Sequence, residues 1–361
     1  MISTRQLKIP VLLLACSLSI VACGIPQETA VSPSSTEGTE SPFTTSSTAS
    51  NVNYQTDLLV VTTVAPITNI VSNIAGDRVR VVGIIPEGTD SHTFEPRPSD
   101  GETLAKANLI FVNGLSLEQP AMNLAESVKP KETKVYELGS NTIPQNQWVF
   151  DNSFPQAEGK PNPHLWVNTK SAEAYARQAA EQLSKLDPEG ADYYAANLRA
   201  YLAKLEELDQ VTREVVNSIP PENRKLLTYH DSWPYWARQY GFEVIGAIQP
   251  SDFNEPSAQE ISQLIDQIRE EKVPAIFGSE VFPSKVSEQI ARETNVKLAN
   301  TSDDDLPGDG SAVAVENSDP KHTYIGMMAD NLRILAENLG GNPSLVDKLD
   351  TSNVVGPTAK S

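Results

Sequence analysis

Asp57-Leu58-Leu59-Val60-Val61-Thr62-Thr63-Val64 is an apolar, β-branched run with no polar residue at alternate positions. A strand with one wet face would alternate; this one is predicted to be covered on both faces, as in a parallel sheet between helix layers. Pro66 opens a predicted helix over 66–74, with Ile67, Ile70, Val71 and Ile74 on one face and Gly76 as its stop. Working outward, strands are predicted at 79–85, 108–113 and 134–138, with helices at 103–107, 117–128 and 170–186 between and after them. A second series has strands at 224–229, 242–248, 275–278 and 296–299, helices at 232–241, 256–271 and 284–294, and a closing helix at 322–339. Strand and helix alternate throughout, which specifies α/β with parallel sheets.

Between the two series, residues 188–219 read as one helix. Tyr194, Leu198, Tyr201, Leu205, Leu208, Val211 and Val215 recur at three- and four-residue steps, and Pro220-Pro221 ends the run. At about 1.5 Å per residue such a helix spans nearly 50 Å, enough to run from one lobe to another. The expected organisation is an N-terminal α/β lobe (57–187), a connecting helix (188–219), a C-terminal α/β lobe (220–340) and a tail (341–361). A chain of 361 residues is longer than one core usually serves.

The start of the chain is predicted to lie outside the fold. Arg5 and Lys8 precede a short apolar stretch that ends in Ile20-Val21-Ala22-Cys23. Roughly a dozen apolar residues are too few to span a bilayer, so 1–22 reads as a signal peptide. Its ending resembles the lipobox of bacterial lipoproteins, with Cys23 as the lipidated residue; Cys16 is a second candidate. Residues 23–56 are rich in Ser, Thr and Pro and cannot offset their ordering entropy, so they read as a disordered tether. With Cys23 lipidated and Cys16 removed with the leader, no free thiol remains in the folded part, so neither disulfides nor thiolate metal ligands are expected there. The net charge of −19 argues against nucleic acid and anionic membrane surfaces as partners.

Three of the four histidines recur in one setting. Ser91-His92-Thr93-Phe94-Glu95-Pro96-Arg97-Pro98-Ser99-Asp100 follows the predicted strand at 79–85; its prolines stiffen the loop, and Ser99-Asp100 offers an N-cap for a helix from about Glu102. His164 lies in Pro161-Asn162-Pro163-His164-Leu165-Trp166, again before a helix. His230 stands at the end of the strand at 224–229, and the last strand ends in Asp303-Asp304-Asp305-Leu306. Parallel strands place such loops along one edge of each sheet, so these side chains can converge in a cleft between lobes. Neutral imidazoles with one carboxylate suit Zn²⁺, and Mn²⁺ or Fe²⁺ accept the same groups. His322, Glu280 and Asp252 read as solvated.

At these motifs the chain resembles the metal-binding lipoproteins of bacterial ABC importers for zinc and manganese, the cluster A-I solute-binding family. The His92 and His164 stretches resemble that family's first two metal motifs. Tyr229-His230-Asp231-Ser232-Trp233-Pro234-Tyr235-Trp236-Ala237-Arg238-Gln239-Tyr240-Gly241 resembles the third, and Asp304-Asp305-Leu306 the fourth. The resemblance implies two lobes, each with a parallel four-stranded sheet, joined by one rigid helix. It also implies a single ion held by His92, His164, His230 and Asp304, Asp304 being the choice among three consecutive aspartates. The histidine-rich loop of some zinc members is absent.

The expected function is therefore capture of Zn²⁺, or alternatively Mn²⁺ or Fe²⁺, by an extracytoplasmic, lipid-anchored monomer. The protein would deliver the ion to a membrane permease and its ATPase, and it would not be an enzyme. A secreted zinc hydrolase is the rival, but the chain has no His-Glu-x-x-His element. An adhesin or structural lipoprotein is a third class.

Overall fold

The computed structural model describes residues 54–151, 153–249, 254–280, 284–306 and 320–354. The expected signal peptide, Cys23, most of the tether and Asp252 lie outside the described residues.

The N-terminal lobe runs β1 (Leu59–Thr62), α1 (Ala65–Ala75), β2 (Arg80–Gly83), α2 (Pro98–Leu104), β3 (Leu109–Val112), α3 (Gln119–Val128), β4 (Lys134–Glu137) and α4 (Thr169–Leu186). α5 (Ala191–Ser218) leads to the C-terminal lobe: β5 (Lys225–Thr228), α6 (Pro234–Tyr240), β6 (Glu243–Ala247), α7 (Ala258–Glu271), β7 (Ala275–Ser279), α8 (Lys285–Thr294), β8 (Lys297–Thr301) and α9 (Tyr324–Leu339). The two sheets have strand orders β2-β1-β3-β4 and β6-β5-β7-β8, and all their pairings are parallel. The fold is the expected one: two four-stranded parallel sheets flanked by helices, with a long helix between.

Burial explains the uninterrupted apolar strands. Val60 and Phe111 face an inner core, while Val61, Ile110 and Val112 face an outer core beneath α2 and α3. The second sheet repeats this, Leu226 and Phe277 facing inward and Leu227 and Ile276 outward beneath α7 and α8. The inner core is continuous across both lobes: Tyr201, Leu205, Leu208 and Val215 of α5 pack with Ile67 and Ile70 of α1 and with Met328 and Leu332 of α9. The lobes share a core rather than owning one each, which makes the helical layer between them rigid.

Several boundaries differ from the sequence reading. The connecting helix is α5, twenty-eight residues long, and Pro188–Gly190 before it is a separate 3₁₀ turn. α2 starts at Pro98, not near Glu102: Pro98 takes the first helical position, and the Asp100 carboxylate accepts the Arg97 N–H at 2.7 Å. The folded part begins before Asp57, because the Gln55 and Thr56 amides donate to the Asp77 and Arg78 carbonyls. The expected tail folds back through residue 354. Val346 is buried, Lys204 pairs with Asp350, and Asn353 accepts hydrogen bonds from Asn69 and Asn73 of α1.

Gly76 closes α1 at φ 57°, ψ −139°, a region that side chains avoid. A Cβ there would also land on the Tyr193 hydroxyl, which donates to the Asp77 carboxylate. Gly76→Ala is expected to destabilise the fold by about 1–3 kcal/mol, read as a lower urea midpoint at unchanged slope.

Candidate metal centre

Each candidate ligand stands beyond the carboxyl end of a strand. His92 follows β2, His164 follows β4, His230 follows β5 two residues on, and Asp304 follows β8. β5 lies at the point where the order of the second sheet reverses, between β6 and β7. Such crevices are where open α/β sheets hold ligands.

The three imidazoles come together. His164 Nε2 lies 3.0 Å from His92 Nε2 and 2.9 Å from His230 Nε2. One nitrogen from each ring falls within 4.8 Å of the others. These separations are close to the edge of about 3.3 Å of a tetrahedron with Zn–N bonds of about 2.0–2.1 Å. The Asp304 carboxylate approaches one of the rings, its Oδ2 3.5 Å from His164 Nε2, but it does not belong to the group whose ligand atoms all lie within 4.8 Å of one another, which is the three histidines alone. Phe154 covers the rings from outside, 5.7 Å from both His92 and His164.

Neighbouring side chains fix which nitrogens point inward. Asn162 donates its Nδ2 to the Asp151 carboxylate and to the Asp231 carbonyl, so its oxygen faces His164. That oxygen accepts from His164 Nδ1–H at 2.9 Å and from the His164 amide at 3.1 Å. Gln249 Oε1 accepts from His230 Nδ1–H at 2.7 Å. Both rings therefore carry their proton on Nδ1 and direct an Nε2 lone pair into the cluster. Two lone pairs 2.9 Å apart repel unless a cation lies between them. The outer acceptors, Asn162 and Gln249, escaped the sequence reading. Asn162 stood inside the His164 motif, but nothing in the sequence marked Gln249, nineteen residues beyond His230.

The aspartate run divides its tasks. Asp303, at φ 60°, accepts from Ser232 Oγ and Trp233 Nε1 through one oxygen, and its carbonyl accepts from Asn331. Asp305 accepts the Leu306 amide. Asp304 is the member that reaches His164, and its Oδ1 is buried with no hydrogen-bond partner among the described residues. Burial, with the nearby Asp90 charge, pushes Asp304 up to about 7. Burial, with the Asp304 charge, pushes Asp303 up to about 7. Burial and the repulsion of the other rings hold His92 and His164 well below the usual imidazole range. A largely buried set in which His92 and His164 resist taking a second proton suits a divalent cation.

His322 is part-exposed, and its Nδ1 pairs with Glu87 at 2.6 Å, in the β2–α2 loop that also carries His92. Glu280 is exposed and faces Lys321 at 3.4 Å.

Two parallel-sheet lobes on a shared rigid core, with the candidate ligands at the sheet edges, define a solute-binding protein of the metal ABC transporter class. The chain belongs to the ZnuA family, described as zinc-uptake complex component A, periplasmic, whose model matches residues 60–338. It is 31% identical over 287 residues to the manganese ABC transporter substrate-binding lipoprotein PsaA of Streptococcus pneumoniae, covering 78% of this chain and 89% of the relative. The metal ABC transporter substrate-binding lipoprotein FimA of Streptococcus parasanguinis matches to the same identity and extent. Among solved structures, the periplasmic zinc binding protein TroA from Treponema pallidum has a TM-score of 0.68 at 30% identity, covering 78% of this chain and 99% of its own. The Mn-bound periplasmic metal binding protein from candidatus Liberibacter asiaticus has a TM-score of 0.67 at 25% identity. The family is one of binding proteins rather than enzymes, and no helix among the described residues is long and apolar enough to cross a membrane.

Proposed function

We propose that this protein captures one Zn²⁺ through His92, His164, His230 and Asp304, outside the cytoplasm, and hands it to the permease of an ABC importer. The observation that carries the reading is the meeting of three Nε2 atoms, two of them with their protons fixed on the far side of the ring. Four protein ligands fill a tetrahedral shell and leave no position for an activated water, which sets capture above hydrolysis. Lipid on Cys23 would hold the protein at the membrane.

Mn²⁺ is the second reading, because relatives at about one-third identity are named for manganese. Three nitrogens and one oxygen favour Zn²⁺ on ligand chemistry, whereas Mn²⁺ favours more oxygen. Equilibrium competition between the two ions, with the bound metal counted by elemental analysis, decides between them. We expect one Zn²⁺ per chain and displacement of Mn²⁺ at equal concentration. Retention of Mn²⁺ against equimolar Zn²⁺ would reverse the assignment.

A further inference from the structure

The Asp304 carboxylate receives its own backbone N–H, and its buried Oδ1 receives no donor from another side chain among the described residues, so its direction is set by the loop that carries it. That loop is held from its own lobe at Asp303, which accepts from Ser232, Trp233 and Asn331, and from the other lobe at Asp304 itself. Trp166, fully buried in the 3₁₀ turn Leu165–Val167 just after His164, donates its indole N–H to the Asp304 carbonyl at 2.8 Å. Its ring stands 5.2 Å from the His164 ring. The Trp166 carbonyl accepts from Tyr324 Oη at 2.8 Å, which ties the same residue to α9. One tryptophan thus spans from the turn beside His164 to the backbone of the candidate carboxylate in the opposite lobe.

We propose that Trp166 is a positioning residue for the bound ion: its indole N–H fixes Asp304 relative to His164 and so sets how the ion's fourth position is filled. The inference rests on the metal-binding reading above and extends it to a residue that touches no ion. A hydrogen bond from a rigid, fully buried ring to a main-chain carbonyl fixes a loop more tightly than a mobile side chain would. Losing it should leave the three imidazoles in place and free the carboxylate.

The test compares Trp166→Phe with Asp304→Asn and Trp236→Phe. Trp236 is equally buried, but its indole nitrogen has no hydrogen-bond partner among the described residues. Zn²⁺ affinity is measured by competition with a chelating dye, and the coordination sphere is read from the visible absorption of the Co²⁺-loaded protein. Trp166→Phe should bind Zn²⁺ about 10–100-fold more weakly, the usual effect of losing an outer-shell partner, with a Co²⁺ spectrum shifted in the direction of Asp304→Asn. Trp236→Phe should match the unsubstituted protein in both measurements, which a merely structural role for buried tryptophan would not produce. Unchanged affinity and spectrum in Trp166→Phe, alongside a weakened Asp304→Asn, would overturn the inference and leave the metal reading standing. An unchanged Asp304→Asn would overturn it too, by removing the ligand to be positioned. Failure of the unsubstituted protein to take up either ion would overturn the functional reading and the inference with it. If Trp166→Phe does not fold, 3-benzothienylalanine at position 166 keeps the ring outline, replaces the N–H by sulfur and carries the same expectation.

Discussion

His164→Ala should abolish tight metal uptake while leaving a folded protein. His164 is the hub of the cluster, since its Nε2 is the atom that both other imidazoles and Asp304 approach. It is fully buried, so water can reach the vacated position only by rearrangement of the neighbouring side chains. Removing a ligand should cost more than the about 10–100-fold lost with an outer-shell partner. His322→Ala is the matched control, because its ring pairs with Glu87 and not with the cluster. Isothermal titration with Zn²⁺ distinguishes the two variants, and retention of near-normal affinity in His164→Ala would remove the site proposed here.

Acidification is the second large effect. Burial and neighbouring charge place the Asp304 and Asp303 carboxyls at about 7, and burial raises Asp305 well above the carboxylate range. Groups with raised folded values stabilise the ion-free protein fully below their unfolded value of about 3.9, a contribution lost as pH rises through about 7. His92 and His164 have lowered folded values, so they contribute stability above about 6.5 that is lost as pH falls toward those values. A bound dication must displace the Asp304 proton, so competition begins near pH 7 rather than near 4. Each competing proton lowers the affinity about tenfold per pH unit. The logarithm of the association constant should therefore climb with a slope of at least about one between pH 5 and 7, then level off. Titrations in buffers with different heats of ionisation would count the protons released, and a constant affinity from pH 8 to 5 would contradict the proposed ligands. The rise in melting temperature on adding Zn²⁺ should shrink over the same interval, because ligand-induced stability follows affinity.

The parallel lobes were legible because local physics alone writes them. Unbroken apolar runs such as Val60-Val61 and Leu226-Leu227 have no wet face, and burial on both sides follows from that pattern. The three histidines were legible as a set because strand, stiff loop and helix put each at a carboxyl edge. The sequence did not locate the start of α2, since the choice between Pro98 as loop and Pro98 as first helical residue depends on a carboxylate three positions away meeting the Arg97 amide. It also did not reveal the joint core, or the return of residues 341–354 onto α1, because both depend on contacts between segments hundreds of residues apart. Composition and periodicity thus determined the kind of layers and which residues lie at their edges. Only the tertiary structure decided that Asp304 rather than its neighbours faces His164, and that Asn162, Gln249 and Trp166 hydrogen-bond to His164, His230 and the Asp304 carbonyl. The physical reason is range: periodicity reports which side of its own element a residue occupies, whereas a ligand's aim is set by hydrogen bonds whose donors and acceptors come from other parts of the chain.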